Sequence, residues 1–267
     1  MVIRPVLQDR VENSEAKPVS AWQAVEETQH AKAAQHWFIP QPAHAALAGE
    51  MAQKLRPELF GAIDPTIARC IALHDAGWSA ADAAAIQALR SSKTGTIRPL
   101  SFLDVAPADA VKAWTASIET TEKFAPVGGY LVSCHFTRLA ESYSNDRPEA
   151  RPFVERARKR QQRILSTSKE SKERLDRWVD ALQFCDLLSL YLCCGARRKA
   201  LISIGGIGAE ITSSAGEYKL SPSPFSGPQQ FSFPALSGST AAKQKRSGEK
   251  EGAASPREGN AIFYINL

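Results

Sequence analysis

The sequence has no apolar run long enough to cross a bilayer. Its most hydrophobic stretch, Ala181 to Ala196, is interrupted by Gln183 and Asp186 and falls short of the roughly 20 residues a spanning helix needs, so no membrane passage is expected. Charges are spread through the first 21 residues and no apolar core of a secretory leader stands there, which predicts a cytoplasmic protein. Cysteine is sparse and odd in number: Cys70, Cys134, Cys185, Cys193 and Cys194 all lie in apolar helical contexts, as reduced core thiols do, and not in a disulfide framework. Cys193-Cys194 lacks the spacing of a zinc knuckle. The one glycine-rich patch, Gly205-Gly206-Ile207-Gly208, has neither the spacing nor the following helix of a dinucleotide site, and no Lys-Ser or Lys-Thr follows a glycine loop. No internal repeat is present.

Excess charge of one sign is also absent from most of the chain. The formal net charge is +5, but Arg147 to Trp178 alone holds 11 Lys and Arg against 5 Asp and Glu, so the basicity belongs to one segment. Its core, residues 151–163, is a basic helix; a solvated face is the ordinary reading, nucleic acid the sharper and less favoured one, because aromatic residues are few there. With 43% hydrophobic and 23% charged residues in 267, the composition is that of a folded globular chain able to bury a core.

What is present is a series of helical stripes. Ala21 to His36 suits a helix, broken by Pro40 and Pro42. Pro42 opens another, to about Arg56, with His44, Leu47, Ala48, Met51 and Leu55 on one face. Asp64-Pro65 supplies an N-cap and a first-turn proline for a third, whose stripe is Ile67, Cys70, Ile71 and His74, ending near Gly77. Ala80 to Leu89 is a short alanine-rich helix; Pro107 to Glu122 and Pro126 to Ser142 follow, the latter with His135 on its apolar face. After the basic helix, Lys169 to Cys194 carries Leu182, Cys185, Asp186, Ser189, Leu190 and Cys193 inward. Beyond Gly195 the pattern turns to short strands: Ala200–Ile211, Tyr218–Leu220, Phe231–Phe233 and the terminal Ala261–Leu267.

The expected organisation is an N-terminal arm or short strand over residues 1–20, a helical domain over 21–198, short strands over 199–236, a low-complexity linker or mobile loop over 237–260, and a terminal strand over 261–267. The fold class is mostly α with a small β appendage near the C-terminus.

The helices thus carry His44, His74-Asp75, His135 and Asp186 in that order. One buried histidine is usually a satisfied core residue, but an inward carboxylate such as Asp186 must be compensated by a donor, a cation or a metal. Imidazole and carboxylate together suit a divalent Mn, Fe, Mg, Ni, Co or Zn ion. Asp82 and Asp104 are expected to face solvent or cap helices, Trp78 to pack its helix end, and His30 and His36 to be structural or exposed.

The words Ala43-His44-Ala45-Ala46-Leu47, Leu73-His74-Asp75-Ala76-Gly77-Trp78, Ser133-Cys134-His135-Phe136 and Phe184-Cys185-Asp186-Leu187 resemble the HD-domain superfamily of metal-dependent phosphohydrolases, and an uncharacterised bacterial domain family near it, over residues 40–235. The resemblance implies an HD-like helical domain with His44, His74, Asp75 and Asp186 as metal ligands. His135 is then a further ligand, a general acid or a phosphate contact, and Arg138, Arg69 or the basic helix a clamp for phosphate. The implied function is metal-dependent hydrolysis of a small phosphorylated ligand or nucleotide, by water whose pKa the metal lowers from near 16 towards about 7. The alternative is a non-catalytic protein that keeps the pocket for a ligand.

Overall fold

The structure, a computed structural model, describes residues 1–6, 17–31, 33, 35–91, 100–142, 150–214, 217–239 and 260–267. Its first half runs β1 (Val2–Pro5), β2 (Val19–Ser20), α1 (Ala21–Gln29), β3 (Gln35–Ile39), α2 (Gln41–Lys54), α3 (Pro57–Phe60), α4 (Pro65–Ala72) and α5 (Ser79–Ser91). Four longer helices follow: α6 (Pro107–Phe124), α7 (Pro126–Ser142), α8 (Ala150–Thr167) and α9 (Lys172–Cys194). The strands β4 (Ala200–Ile204), β5 (Ile207–Ser214), β6 (Glu217–Ser221), β7 (Gln230–Ser239) and β8 (Asn260–Asn266) complete the chain.

Helix α9 is the axis of the molecule, and its ends are written locally. Ser171 accepts a hydrogen bond from the Arg174 amide at the start, and Gly195 closes the end at φ 68°, a left-handed conformation that costs glycine little. Leu182, Phe184, Leu188, Tyr191 and Leu192 are fully buried along it, each contributing roughly 1.5–3 kcal/mol of apolar burial. α2, α7 and α1 pack around it, with β1 and β4 against its C-terminal half. Mostly α is therefore the architecture, and no helix among the described residues is long and apolar enough to cross a membrane.

Two four-stranded sheets flank the helices, in the orders β1-β3-β7-β8 and β2-β4-β5-β6. The first is antiparallel throughout, with Val2 opposite Ile39 and Phe38 opposite Leu236; in the second, β2 runs parallel to β4. The β structure is thus not purely a C-terminal appendage, since each sheet takes strands from the first 40 residues. The arm expected over 1–20 supplies β1 and β2, and residues 7–16 of it lie outside the described residues. The helix expected over Ala21 to His36 ends at Gln29, and Gln35–Ile39 is instead the strand β3, held between β1 and β7. Residues 237–239 of the expected linker belong to β7, while 240–259 lie outside the described residues.

Part of the charge on the basic helix α8 is paired at the surface with neighbouring helices. Arg160 and Arg163 pair with Glu122 of α6, and Arg158 with Glu141 of α7.

Candidate metal centre

Four elements deliver the centre. His44 comes one turn into α2, His74 and Asp75 from the turn after α4, His135 from α7 and Asp186 from the middle of α9. α2 and α4 approach closely because Gly49 has no side chain: a Cβ there would lie 2.5 Å from the Ala72 Cβ and 2.8 Å from the Ala68 carbonyl oxygen. The His74-Asp75 turn is held in turn by Gly77. Its amide donates to Ser117 Oγ at 2.9 Å, and a Cβ would stand 2.1 Å from the Ala113 carbonyl oxygen on α6.

All five side chains are buried, His74 completely and Asp186 to 9% exposure. They fall into two groups of candidate ligands, His44, His74 and Asp75, and His74, His135 and Asp186, whose ligand atoms lie within 4.8 Å of one another. The contacts are short: His44 Nε2 to Asp75 Oδ2 at 2.8 Å and His74 Nε2 to Asp186 Oδ1 at 3.2 Å, with His74 Nε2 to Asp75 Oδ2 at 3.8 Å. Donors about 2.1 Å from one ion and at right angles stand about 3 Å apart, so the spacing within each group suits an octahedral cation.

The hydrogen bonds behind the rings say which nitrogens carry protons. His74 Nδ1 lies 2.7 Å from the Ile71 carbonyl, which can only accept, so that nitrogen is the donor. The Ser189 hydroxyl gives its one proton to the Asp186 carbonyl at 2.8 Å, so it must accept from His44 Nδ1 at 3.0 Å. In both rings the Nε2 lone pair is therefore turned towards a carboxylate oxygen, acceptor against acceptor. Only a proton or a metal cation between them makes such pairs favourable, and fixing of Nδ1 by an outer partner is how ligating histidines are held. His135 adds a third sign: its buried Nδ1 has no hydrogen-bond partner among the described residues, and its Nε2 lies 3.8 Å from Asp186 Oδ2, the oxygen His74 does not use. These residues fit a divalent metal.

Without a metal the cluster holds protons instead. Burial disfavours the charged form of His74, but the Asp75 charge and the hydrogen bond and charge of Asp186 outweigh it and raise its pKa to about 9. Burial opposes ionisation of Asp186 too, yet the hydrogen bond and charge of His74, with His135 and His44, bring its carboxyl down to about 2. At His135 burial wins over the carboxylates and lowers the pKa to about 4.

These shifts set a stability profile for the metal-free protein. Above the ordinary histidine value of 6.5 and up to about 9, the folded state keeps a proton on His74 that the unfolded chain has lost, so rising pH removes stability. Between 6.5 and about 4 the unfolded chain takes a proton that His135 refuses, so falling pH removes it as well. Asp186 adds a further acid loss between 3.8 and about 2. Thermal melts of chelator-treated protein should show a maximum near pH 6.5; a melting temperature that keeps rising to pH 9 would contradict the geometry.

The centre forms the floor of a cavity of about 230 Å³. His44, Asp75, His135 and Asp186 line it, while His74 is sealed behind them. The walls are largely apolar, with Trp22, Trp78 and Trp114 prominent, and the mouth carries Glu26 and His30.

The structure brings together His44, His74, Asp75, His135 and Asp186 as the stripes suggested, but it does not bring Arg138 or Arg69 to them. Arg138 is tied to Asp180 at 2.6 Å and to Gln183, and Arg69 is exposed on α4; neither lines the cavity. Asp82 is buried, not solvent-facing, because Oδ2 accepts the Gln41 amide at 2.6 Å at the start of α2 and Oδ1 lies 3.2 Å from the Met1 ammonium. Trp78 packs against Ala110 and Ala113 and also reaches the cavity. His30 is exposed, 3.7 Å from Asp104, and His36 is buried in β3.

Sequence reasoning missed Ser189 as an orienting residue, although its place one turn after Asp186 on the inner face was a usable signal. It also missed Trp22 and Glu26, which no motif marks. No curated protein and no solved structure shows a significant match to the chain. A family model described as "Protein of unknown function (DUF3891)" matches residues 21–235, most of the chain and all five residues of the centre, and the protein belongs to that family.

Proposed function

We propose that the protein is an HD-type metal-dependent phosphohydrolase acting on a small phosphoester. One observation carries the reading: three imidazoles and two carboxylates from four helical segments converge at the floor of a cavity, with the Nδ1 protons of His44 and His74 directed away from it. The order along the chain supports the HD assignment, a histidine on α2, His-Asp after α4 and an aspartate on α9. His44, His74, Asp75 and Asp186 would hold the ion, which when bound would supply a Lewis acid that acidifies water and draws charge from a phosphoryl oxygen.

The chain's own groups do the rest. Ser189 and the Ile71 carbonyl keep two imidazoles in one tautomer and one orientation. The largely apolar walls lower the local polarity, strengthening charge interactions at the floor. His135, its Nδ1 unpaired, takes the proton released by the attacking water and returns it to the leaving oxygen.

Elemental analysis of purified protein, with turnover of a phosphomonoester, phosphodiester and nucleotide panel in Mn, Mg, Ni or Co, tests this. Stoichiometric metal and turnover are expected, and His135→Ala should keep the metal while losing about 100-fold or more in rate. Undiminished turnover in His135→Ala would remove it from the mechanism.

A second reading has an observation of its own. Among the described residues, neither Lys nor Arg lines the cavity, so the cationic clamp usual for phosphoryl transfer is missing from its walls. That favours a ligand-binding protein built on the same centre, and tight ligand binding without turnover in any of the four metals would establish it.

A further inference from the structure

The part of the cavity lined by Trp22, Glu26 and the exposed His30 has its own chemistry. Trp22 and Glu26 come from α1, which supplies none of the candidate ligands. The Trp22 indole nitrogen donates to Glu26 Oε1 at 2.8 Å, fixing the ring and the carboxylate together. Among the described residues no Lys or Arg pairs with Glu26, and none lines the cavity. The same cavity is lined by the rings of Trp78, Trp114 and Phe102, the last 6.3 Å from Trp22, so Glu26 is a carboxylate on a largely aromatic lining that holds no Lys or Arg among the described residues.

A half-buried carboxylate with no Lys or Arg partner among the described residues is a counter-charge for a cation, and aromatic faces attract a cation, more strongly when it is desolvated. A purely anionic ligand would meet Glu26 without relief, and a neutral planar ring would bury the charge without pairing it. A ligand carrying an ammonium group answers both the carboxylate and the rings.

We propose that this site binds a small molecule with an ammonium group, primary or quaternary, held against Glu26 and the surrounding aromatic rings, and that the substrate class is an amino-alcohol phosphoester. The ammonium end stands on the cavity walls alone; only the phosphate end rests on the hydrolytic reading.

Calorimetric titration of the metal-loaded protein separates the two. The probes are choline and its uncharged carbon isostere 3,3-dimethylbutanol, and phosphocholine and 3,3-dimethylbutyl phosphate. The cationic member of each pair should bind at least about tenfold more tightly. In Glu26→Gln, with metal content unchanged, that preference should vanish while the isosteres bind as before. Equal or tighter binding of the carbon isosteres, or a preference that survives Glu26→Gln, overturns the proposal. A choline preference without turnover of phosphocholine upholds the ammonium site and counts against the phosphohydrolase.

Discussion

Asp186→Asn and His74→Ala are each expected to abolish binding of the metal proposed for the centre. Asp186 is the only one of the five residues with short contacts to all three histidines, His74 at 3.2 Å and His44 and His135 at 3.8 Å, and His74 is the one member common to both candidate ligand groups. Loss of an outer-shell partner typically costs 10–100-fold in metal affinity, so removal of a direct ligand should cost more than about 100-fold. Asn keeps the volume of Asp186 and a hydrogen-bonding oxygen, so lost metal in a folded variant is a statement about charge and ligation. Elemental analysis after dialysis reads it directly, and metal retained undiminished in both variants would sink the assignment. Stability should follow. A metal at a thousand times its dissociation constant stabilises by about 4 kcal/mol, roughly 8–16 °C for a chain of this size class. That increment should appear on adding metal to the unaltered protein and be absent from Asp186→Asn.

Gly77→Ala should be the most damaging small substitution near the centre. The added methyl carbon would lie 2.1 Å from the Ala113 carbonyl oxygen and 2.7 Å from the Ser117 amide, and both are helix backbone that cannot turn aside. The turn bearing His74 and Asp75 must then lift from α6, breaking the Gly77 to Ser117 hydrogen bond. Overpacking of this kind costs about 1–3 kcal/mol, and the lost hydrogen bond about 1 kcal/mol more. A fall in melting temperature of about 5–15 °C is expected, together with weaker metal binding because two ligands move. Gly206→Ala is the control: it has a positive φ of 79° but nothing within 4 Å of the new carbon, so it should destabilise without touching the metal. Equal metal affinity in Gly77→Ala and the unaltered protein would show that the turn is not held by this contact.

The helices were legible because their signals are local. Asp64-Pro65 caps and opens α4, Pro126 opens α7, Ser171 and Gly195 bracket α9, and apolar residues at helical spacing mark the faces that meet. The inward position of His44, His74, His135 and Asp186 followed from those same stripes, since residues three and four apart share a face whatever that face packs on. Strand β3 was not legible. Gln35–Ile39 becomes a strand through partners at residues 2–5 and 236–239, and no local pattern announces a ladder whose other edges are 30 and 200 residues away.

Charged side chains divide in the same manner. The sequence placed Arg138 one turn after His135 and left its partner open, and the fold gives it to Asp180 and Gln183 on α9. Asp82, expected to face solvent or cap a helix, is buried and accepts the first amide of α2 at 2.6 Å, a helix distant from it in the chain. Periodicity and caps, being hydrogen-bond and packing preferences within a few residues, determine which side chains turn inward and therefore which ligands are on offer. Their separations, the tautomers of His44 and His74, the unpaired nitrogen of His135 and the acidic aromatic mouth of the cavity arise only when α1, α2, α4, α7 and α9 pack together, because each depends on atoms that meet in space and are distant in the chain.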